Sequence, residues 1–252
     1  MRRPYRLALA LGFSMLATHA WADGRPCAEP FAGAYLGVGV GYGRQKVEVD
    51  NATINAKFSD ESAGATVGGY LGYNWQRCDH VFGIETDLNY LGASPTAFDR
   101  EPPGPSGLPE TTSLESRMDW FGTLRARAGF VVHEDLLFYA TGGLAYSRVK
   151  QTLFDDCVGC GNSALNLGPF FQSDRDTKFG WTVGGGAEFL HDSNWRLRAE
   201  ALYVDLGDNS RTYLVVVPGV GTGVAATKWN DQFWLARLGL TYAFDAPWAP
   251  PN

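Results

Sequence analysis

Nine charged residues stand inside otherwise apolar or small-residue stretches, several of them two positions apart: Glu85 and Asp87, Arg125 and Arg127, Glu188, then Arg196, Arg198 and Glu200, and finally Arg237. A spacing of two puts side chains on one face of a β-strand. Guanidinium and carboxylate groups aligned in this way can pair with one another in charge-assisted hydrogen bonds, or they can line a narrow path for water and ions. Five cations against four anions nearly cancel. An uncompensated charge in a confined interior would be costly, so the set predicts a salt-bridge network. A loosely packed, hydrated channel is the competing reading.

Other reactive residues carry less. Cys157-Val-Gly-Cys160 has the spacing of a redox or metal motif, but with no histidine beside it a small disulfide clamp is expected. The stretch GVGVGYG, Gly37 to Gly43, has a glycine at every second position, whereas a dinucleotide loop needs strand, turn and helix in succession. These glycines belong to a strand and admit neighbours on its inner side. His80, His133 and His191 lie at expected turns beside Asp79, Glu134 and Asp192. Turns favour polar residues, so neither a metal nor any other cofactor is assigned to them. Hydrolases and acyltransferases built on outer-membrane barrels need a histidine-based constellation near the outer edge, and no histidine is expected there. The chain is read as non-enzymatic.

The elements that position the charges are strands with two unlike faces. Phe82–Tyr90, Trp120–Phe130, Trp181–Phe189, Trp195–Tyr203 and Phe233–Phe244 each set an apolar parity against a polar one. Ala34–Tyr42, Thr66–Gln76 and Leu137–Ser147 are weaker, which makes eight strands. The apolar parity is closed by an aromatic at each end: Phe82 and Tyr90, Trp120 and Phe130, Trp181 and Phe189, Trp195 and Tyr203, then Trp234 with Tyr242 and Phe244. Aromatic ends around a small, apolar middle mark a lipid-facing strand. Eight to eleven residues at about 3.3 Å each, tilted by about 40°, span roughly 20–28 Å, which matches an outer membrane.

The connections alternate. Short ones fall at Arg77–Asp79, His133–Asp135 and Asp192–Asn194, and long ones at about 43–63, 92–117, 150–178 and 207–231. Tight periplasmic turns and long external loops are the pattern of such barrels. The fold class is therefore all-β, an eight-stranded antiparallel transmembrane β-barrel. The segment YLVVV, Tyr213 to Val217, leaves ten strands as an alternative, or lengthens strands seven and eight. The prolines of REPPGPSGLPE predict a solvated loop.

Length and composition agree. Across 252 residues, 31 glycines and 13% aromatics accompany an ordinary 45% hydrophobic content, a mixture unlike a disordered chain or a helical membrane protein. Residues 1–22 open with Arg2, Arg3 and Arg6, continue through an apolar stretch and end in Ala20-Trp21-Ala22, as a signal peptide does. The apolar part is shorter than the roughly 20 residues of a membrane anchor. Its removal takes away three arginines and no acids, turning the net charge of −6 into −9, which argues against a nucleic-acid partner. Residues 23–31 then form a periplasmic segment, 32–244 the barrel and 245–252 a proline-rich tail. Four cysteines in an exported chain predict disulfides. Topology selects Cys27–Cys78 on the inner side and Cys157–Cys160 in one external loop.

The segments DWFGTLRARAGF, LFYATGGLAY, GWTVGGGAEF, NWRLRAEALYVDLG and LARLGLTYAF resemble the small outer-membrane β-barrel proteins of alphaproteobacteria, the porin-family or opacity-like surface proteins. The resemblance runs from about Phe31 to Phe244. It implies an eight-stranded barrel in the bacterial cell outer membrane and an abundant, immunogenic surface protein that supports envelope integrity. It brings no catalytic site. Its implied partners are outer-membrane lipid and lipopolysaccharide, and the barrel assembly machinery acting through Phe244. In this chain DAPWAPPN follows Phe244, where relatives of this kind end. Three functions compete: a structural barrel plugged by its charge network, a narrow porin-like channel for small solutes, and a haem- or host-surface-binding barrel using Phe154, Phe170, Phe171 and Tyr213.

Overall fold

Among the described residues, the alternation read from the sequence becomes nine antiparallel strands, and eight of them close on themselves. A computed structural model describes residues 27–51, 56–93, 95–101, 110–155, 170–192, 194–217 and 221–244. The strands are β1 (Gly33–Asn51), β2 (Ala56–Arg77), β3 (His80–Leu91), β4 (Thr96–Glu101), β5 (Glu110–His133), β6 (Leu136–Asp155), β7 (Phe170–Leu190), β8 (Trp195–Val217) and β9 (Gly221–Ala243). Each pairs with its neighbour in sequence, except that β3 passes over β4 to pair with β5. The barrel closes where β1 pairs with β9, Tyr35 opposite Ala243 and Asn51 opposite Thr227. Through the band where all eight strands pair on both sides, the sheet has no free edge, as a spanning sheet requires.

The long connections differ from the loops expected of them. β1 and β2 stay in register from Gly33↔Asn74 to Asn51↔Ala56, and β6 with β7 from Leu136↔Phe189 to Asp155↔Phe170. What reads as loop is mostly hairpin, rising beyond the aromatic-bounded band. Tyr213–Val217 belongs to β8 and pairs with Gly221–Ala225 of β9, so the ten-stranded alternative falls. β4 adds a short strand, with Thr96↔Glu115 through Glu101↔Glu110 on β5, beyond the point where β3 ends. The proline-rich loop shrinks accordingly, its centre lying outside the described residues.

The outward side is inverted relative to a water-soluble fold: Val38 is 63% exposed and Leu238 67%. The charged parity points inward. Two irregularities adjust it. A register shift between Met118 and Trp120 moves the inward set of β5 from Thr123, Arg125 and Arg127 to Ser116 and Met118, as a bulge must. A second shift lies between Asp205 and Asp208, where Gly207 takes a φ of 71° and donates its N–H to Asp205 Oδ1 at 2.7 Å.

At the short-turn end, Asp192 caps the β7–β8 turn. The backbone N–H groups of Asn194 and Trp195 hold its carboxyl below the ordinary value. Cys78 sits in the β2–β3 turn with a φ of 49°, a backbone region in which glycine would be expected. Its disulfide to Cys27 explains why a cysteine stands there instead.

Candidate functional site

The inward residues of β9 sample the interior from end to end: Thr241, Gly239, Arg237, Leu235, Phe233, Asp231 and Trp229. They cross an ionic layer, an apolar layer and a second polar site in turn.

The ionic layer holds Glu85, Asp87, Arg125, Arg127, Glu188, Arg196, Arg198, Glu200 and Arg237, all buried. Glu85 is the centre. Arg125 Nη2 donates to its Oε1, Arg198 Nη1 lies 2.7 Å from its Oε2, and Arg127 Nη1 lies 3.5 Å from the same oxygen. Arg125 also reaches Asp87 Oδ2 at 2.9 Å and Glu200 Oε1 at 3.1 Å. Glu188 Oε1 accepts from Arg127 Nη2 at 2.8 Å and from Arg198 Nε and Nη2 at 2.9 and 2.6 Å. Arg237 donates Nε to Glu200 Oε2 at 2.7 Å, Nη2 to Asp87 Oδ2 at 3.0 Å and Nη1 to Asn89 Oδ1 at 2.9 Å. Buried ions of both signs in such contact satisfy one another, whereas any one left alone would be expensive.

Three tyrosines bind this layer to the wall. Tyr35 donates its hydroxyl to Glu85 Oε2 at 2.7 Å, and Tyr139 donates to Glu200 Oε1 at 2.8 Å. Tyr70 meets Thr241 Oγ1 at 2.8 Å. Each ring lies over the glycine paired with it across the strands: Tyr35 over Gly72, Tyr70 over Gly37, Tyr139 over Gly186. A Cβ on Gly37 would come within 2.3 Å of the Tyr70 ring. The glycines therefore make room for rings, and the rings carry cations. Arg198 stands 4.0 Å above Tyr70 and Arg127 3.9 Å above Tyr139, within cation–π range.

Arg196 makes the cations five against four, and the amino-terminal segment meets it. Arg196 Nη2 donates to Pro30 O at 2.8 Å, and its guanidinium lies 5.1 Å from the Phe31 ring. Phe31 is fully buried with Val81, Val131 and Leu137. Its N–H donates to Gln76 Oε1 at 2.7 Å, and its carbonyl accepts from Asn74 Nδ2 at 3.0 Å. Cys27–Cys78 ties this segment to the β2–β3 turn. It folds into the barrel mouth at that end.

On the other side of the ionic layer lie Leu91, Met118, Phe121, Leu202, Val204, Phe233 and Leu235, with Phe121 and Phe233 edge to face at 4.7 Å. Beyond them Asp231 accepts from Lys178 Nζ at 2.6 Å, Ser116 Oγ at 2.8 Å and Gln45 Nε2 at 3.4 Å. All four are buried. The sequence reading missed this site.

Outside, Tyr90, Trp120, Trp181, Tyr203 and Trp234 stand towards the hairpin end, and Phe82, Phe130, Phe189, Trp195, Tyr242 and Phe244 towards the short turns. Trp181, Tyr203 and Trp234 form a continuous row, with centroids 5.3 and 4.8 Å apart. Among the described residues no three side chains converge as a metal site. His80 packs on Phe130, and His133 contacts Asp135 at 2.8 Å. Residues 1–22, Cys157, Cys160 and the tail 245–252 lie outside the described residues, as do the side chains of Phe154, Phe170, Phe171 and Tyr213.

Comparison with known proteins places this geometry. Residues 8–244 match the model of the outer membrane protein beta-barrel domain. A 31 kDa outer-membrane immunogenic protein of Brucella melitensis is 37% identical over 92% of this chain and 96% of its own. A 22 kDa outer membrane protein of Rhizobium leguminosarum is 32% identical over 54% of this chain and 50% of its own. The crystal structure of OprG from Pseudomonas aeruginosa aligns at 14% identity and a TM-score of 0.49, covering 85% of this chain and 98% of that one.

Proposed function

This chain belongs to the outer membrane protein beta-barrel family, and on that premise we propose that it is a sealed structural barrel of the outer membrane, its bore filled by side chains and its surface role displayed on the external hairpins. The carrying observation is the layered interior. A solute path would have to pass the Phe31 closure on the periplasmic side, the Arg–Glu–Asp network and then the Phe121–Phe233 layer. An apolar constriction expels water as well as ions, and an eight-stranded barrel is just wide enough for side chains to fill. The names of the relatives describe immunogenic outer-membrane proteins, which supports a role displayed at the surface. The described mature histidines lie at the periplasmic turns, which supports a non-enzymatic reading.

Single-channel recording of the refolded, oxidised protein in a planar bilayer tests this. A sealed barrel gives no steps, or rare small ones. Steady, salt-dependent conductance that changes in Arg237→Ala would make the protein a narrow pore with Arg237 on the path.

A further inference from the structure

We propose that the outward face of β1, β9 and β8 holds a binding site for the phosphorylated head of an outer-leaflet glycolipid, with Arg44 and Lys46 taking a phosphate and Trp234 and Tyr203 the adjoining sugar. This rests on the outer-membrane placement and not on whether the interior conducts.

A cavity of about 220 Å³ opens on this face, between Arg44, Lys46, Glu61, Tyr203, Gln232 and Trp234. Register sets its height. Arg44 pairs with Trp234, and Trp234 with Tyr203. One outward step towards the periplasm come Tyr42, Ala236 and Ala201, then Val40, Leu238 and Ala199. Tyr42, Val40 and Leu238 are all more than 60% exposed and belong to the lipid band. Cations therefore begin immediately beyond the last apolar side chains, at the depth of the headgroups.

The chemistry of the cavity fits one class of lipid. A guanidinium offers a phosphate two parallel hydrogen bonds, and the Lys46 ammonium stands on the same strand face. The Trp234 and Tyr203 rings, 4.8 Å apart, give an amphipathic wall of the kind that settles at an interface and that the apolar face of a sugar can cover. The alanines beneath leave room for acyl chains against the wall. Two carboxylates already contact the cations: Glu61 pairs with Arg44, and Glu48 with Lys46 at 2.6 Å. The side chains are 67% and 39% exposed in the first pair and 41% and 53% in the second. Exposed pairs of this kind hold weakly, so both carboxylates can turn to solvent when a multiply charged phosphate arrives.

The test uses the refolded full chain in neutral detergent, titrated separately with a bisphosphorylated, acylated diglucosamine, with its dephosphorylated form and with inorganic phosphate. Readouts are unfolding temperature and tryptophan fluorescence. The phosphorylated glycolipid should raise the unfolding temperature by several degrees. A double variant, Arg44→Gln with Lys46→Gln, should weaken its apparent affinity at least tenfold, and Trp234→Phe should remove most of the fluorescence response. Both variants change exposed side chains, and a mobility shift between heated and unheated samples reports that each barrel has folded. Equal stabilisation by the dephosphorylated lipid, or unchanged affinity in the folded double variant, overturns the proposal. A matching shift with inorganic phosphate overturns the lipid as the ligand.

Discussion

Arg237 on the last strand and Asp87 on the third stand 150 residues apart in the chain and 3.0 Å apart inside the barrel. The same guanidinium reaches Glu200 and Asn89, so one side chain links three strands across the bore. Arg237→Leu removes all three contacts and leaves Asp87 and Glu200 with Arg125 as the cation that still reaches them. Breaking a buried pair in this way costs about 3–5 kcal/mol. The expected result is a clearly lowered unfolding temperature, partly restored when Glu200→Gln is added. Equal unfolding temperatures for the parent and Arg237→Leu would show that the network does not hold the barrel together.

That inward column was legible because its strands carry a plainly apolar opposite face. In Trp120–Phe130 or Trp195–Tyr203, parity alone separates Arg125, Arg127, Arg196 and Arg198 from the lipid side. Tyr35, Tyr70 and Tyr139 were not legible, since tyrosine suits an interface as well as an interior. What decides their place is the glycine opposite each, and cross-strand register cannot be read along one segment. The Asp231 site stayed hidden for another reason. Its partners Gln45, Ser116 and Lys178 lie beyond the lipid band, where the outward face turns polar and a hairpin looks like a loop. The bulge at Met118–Trp120 also reverses the parity between Ser116 and Thr123.

The glycines of β1 give a second prediction. A Cβ on Gly37 would meet the Tyr70 ring at 2.3 Å, and that ring cannot withdraw without losing Thr241 and the cation above it. Gly37→Val should lower stability by about 1–3 kcal/mol, the usual cost of overpacking. Tyr70→Ala in the same chain should recover part of that loss. A double variant no more stable than Gly37→Val alone would mean that the ring is not what the glycine accommodates.

At the short-turn mouth, Phe31 and the Cys27–Cys78 bond act on the same segment by different means. Phe31→Ala empties a fully buried site and should cost about 3–5 kcal/mol. It also removes the ring against Arg196 while leaving the disulfide in place. Cys27→Ser with Cys78→Ser leaves Phe31 packed, so its unfolding temperature should fall while the barrel still assembles. Protease added to the refolded protein should cut the amino-terminal segment faster in both variants than in the parent. Equal cutting rates in all three would show that the segment is not held in the mouth.

Asp231 separates the barrel wall from what stands above it. It gathers Lys178 from β7, Ser116 from β5 and Gln45 from β1, while the Phe121–Phe233 layer lies between it and the Arg237 network. Asp231→Ala leaves the Lys178 ammonium buried without its carboxylate, and such a charge must be hydrated or move. Because the loss falls beyond the apolar layer, the long hairpins should loosen while the ladder at the level of Arg237 stays intact. Amide hydrogen exchange measures both at once. Faster exchange is expected in the outer halves of β1, β7 and β9, with unchanged protection from Ala34 to Tyr42 and from Leu235 to Tyr242. Uniform acceleration along β9 would instead make Asp231 part of the same cooperative unit as Arg237, with the apolar layer failing to insulate them.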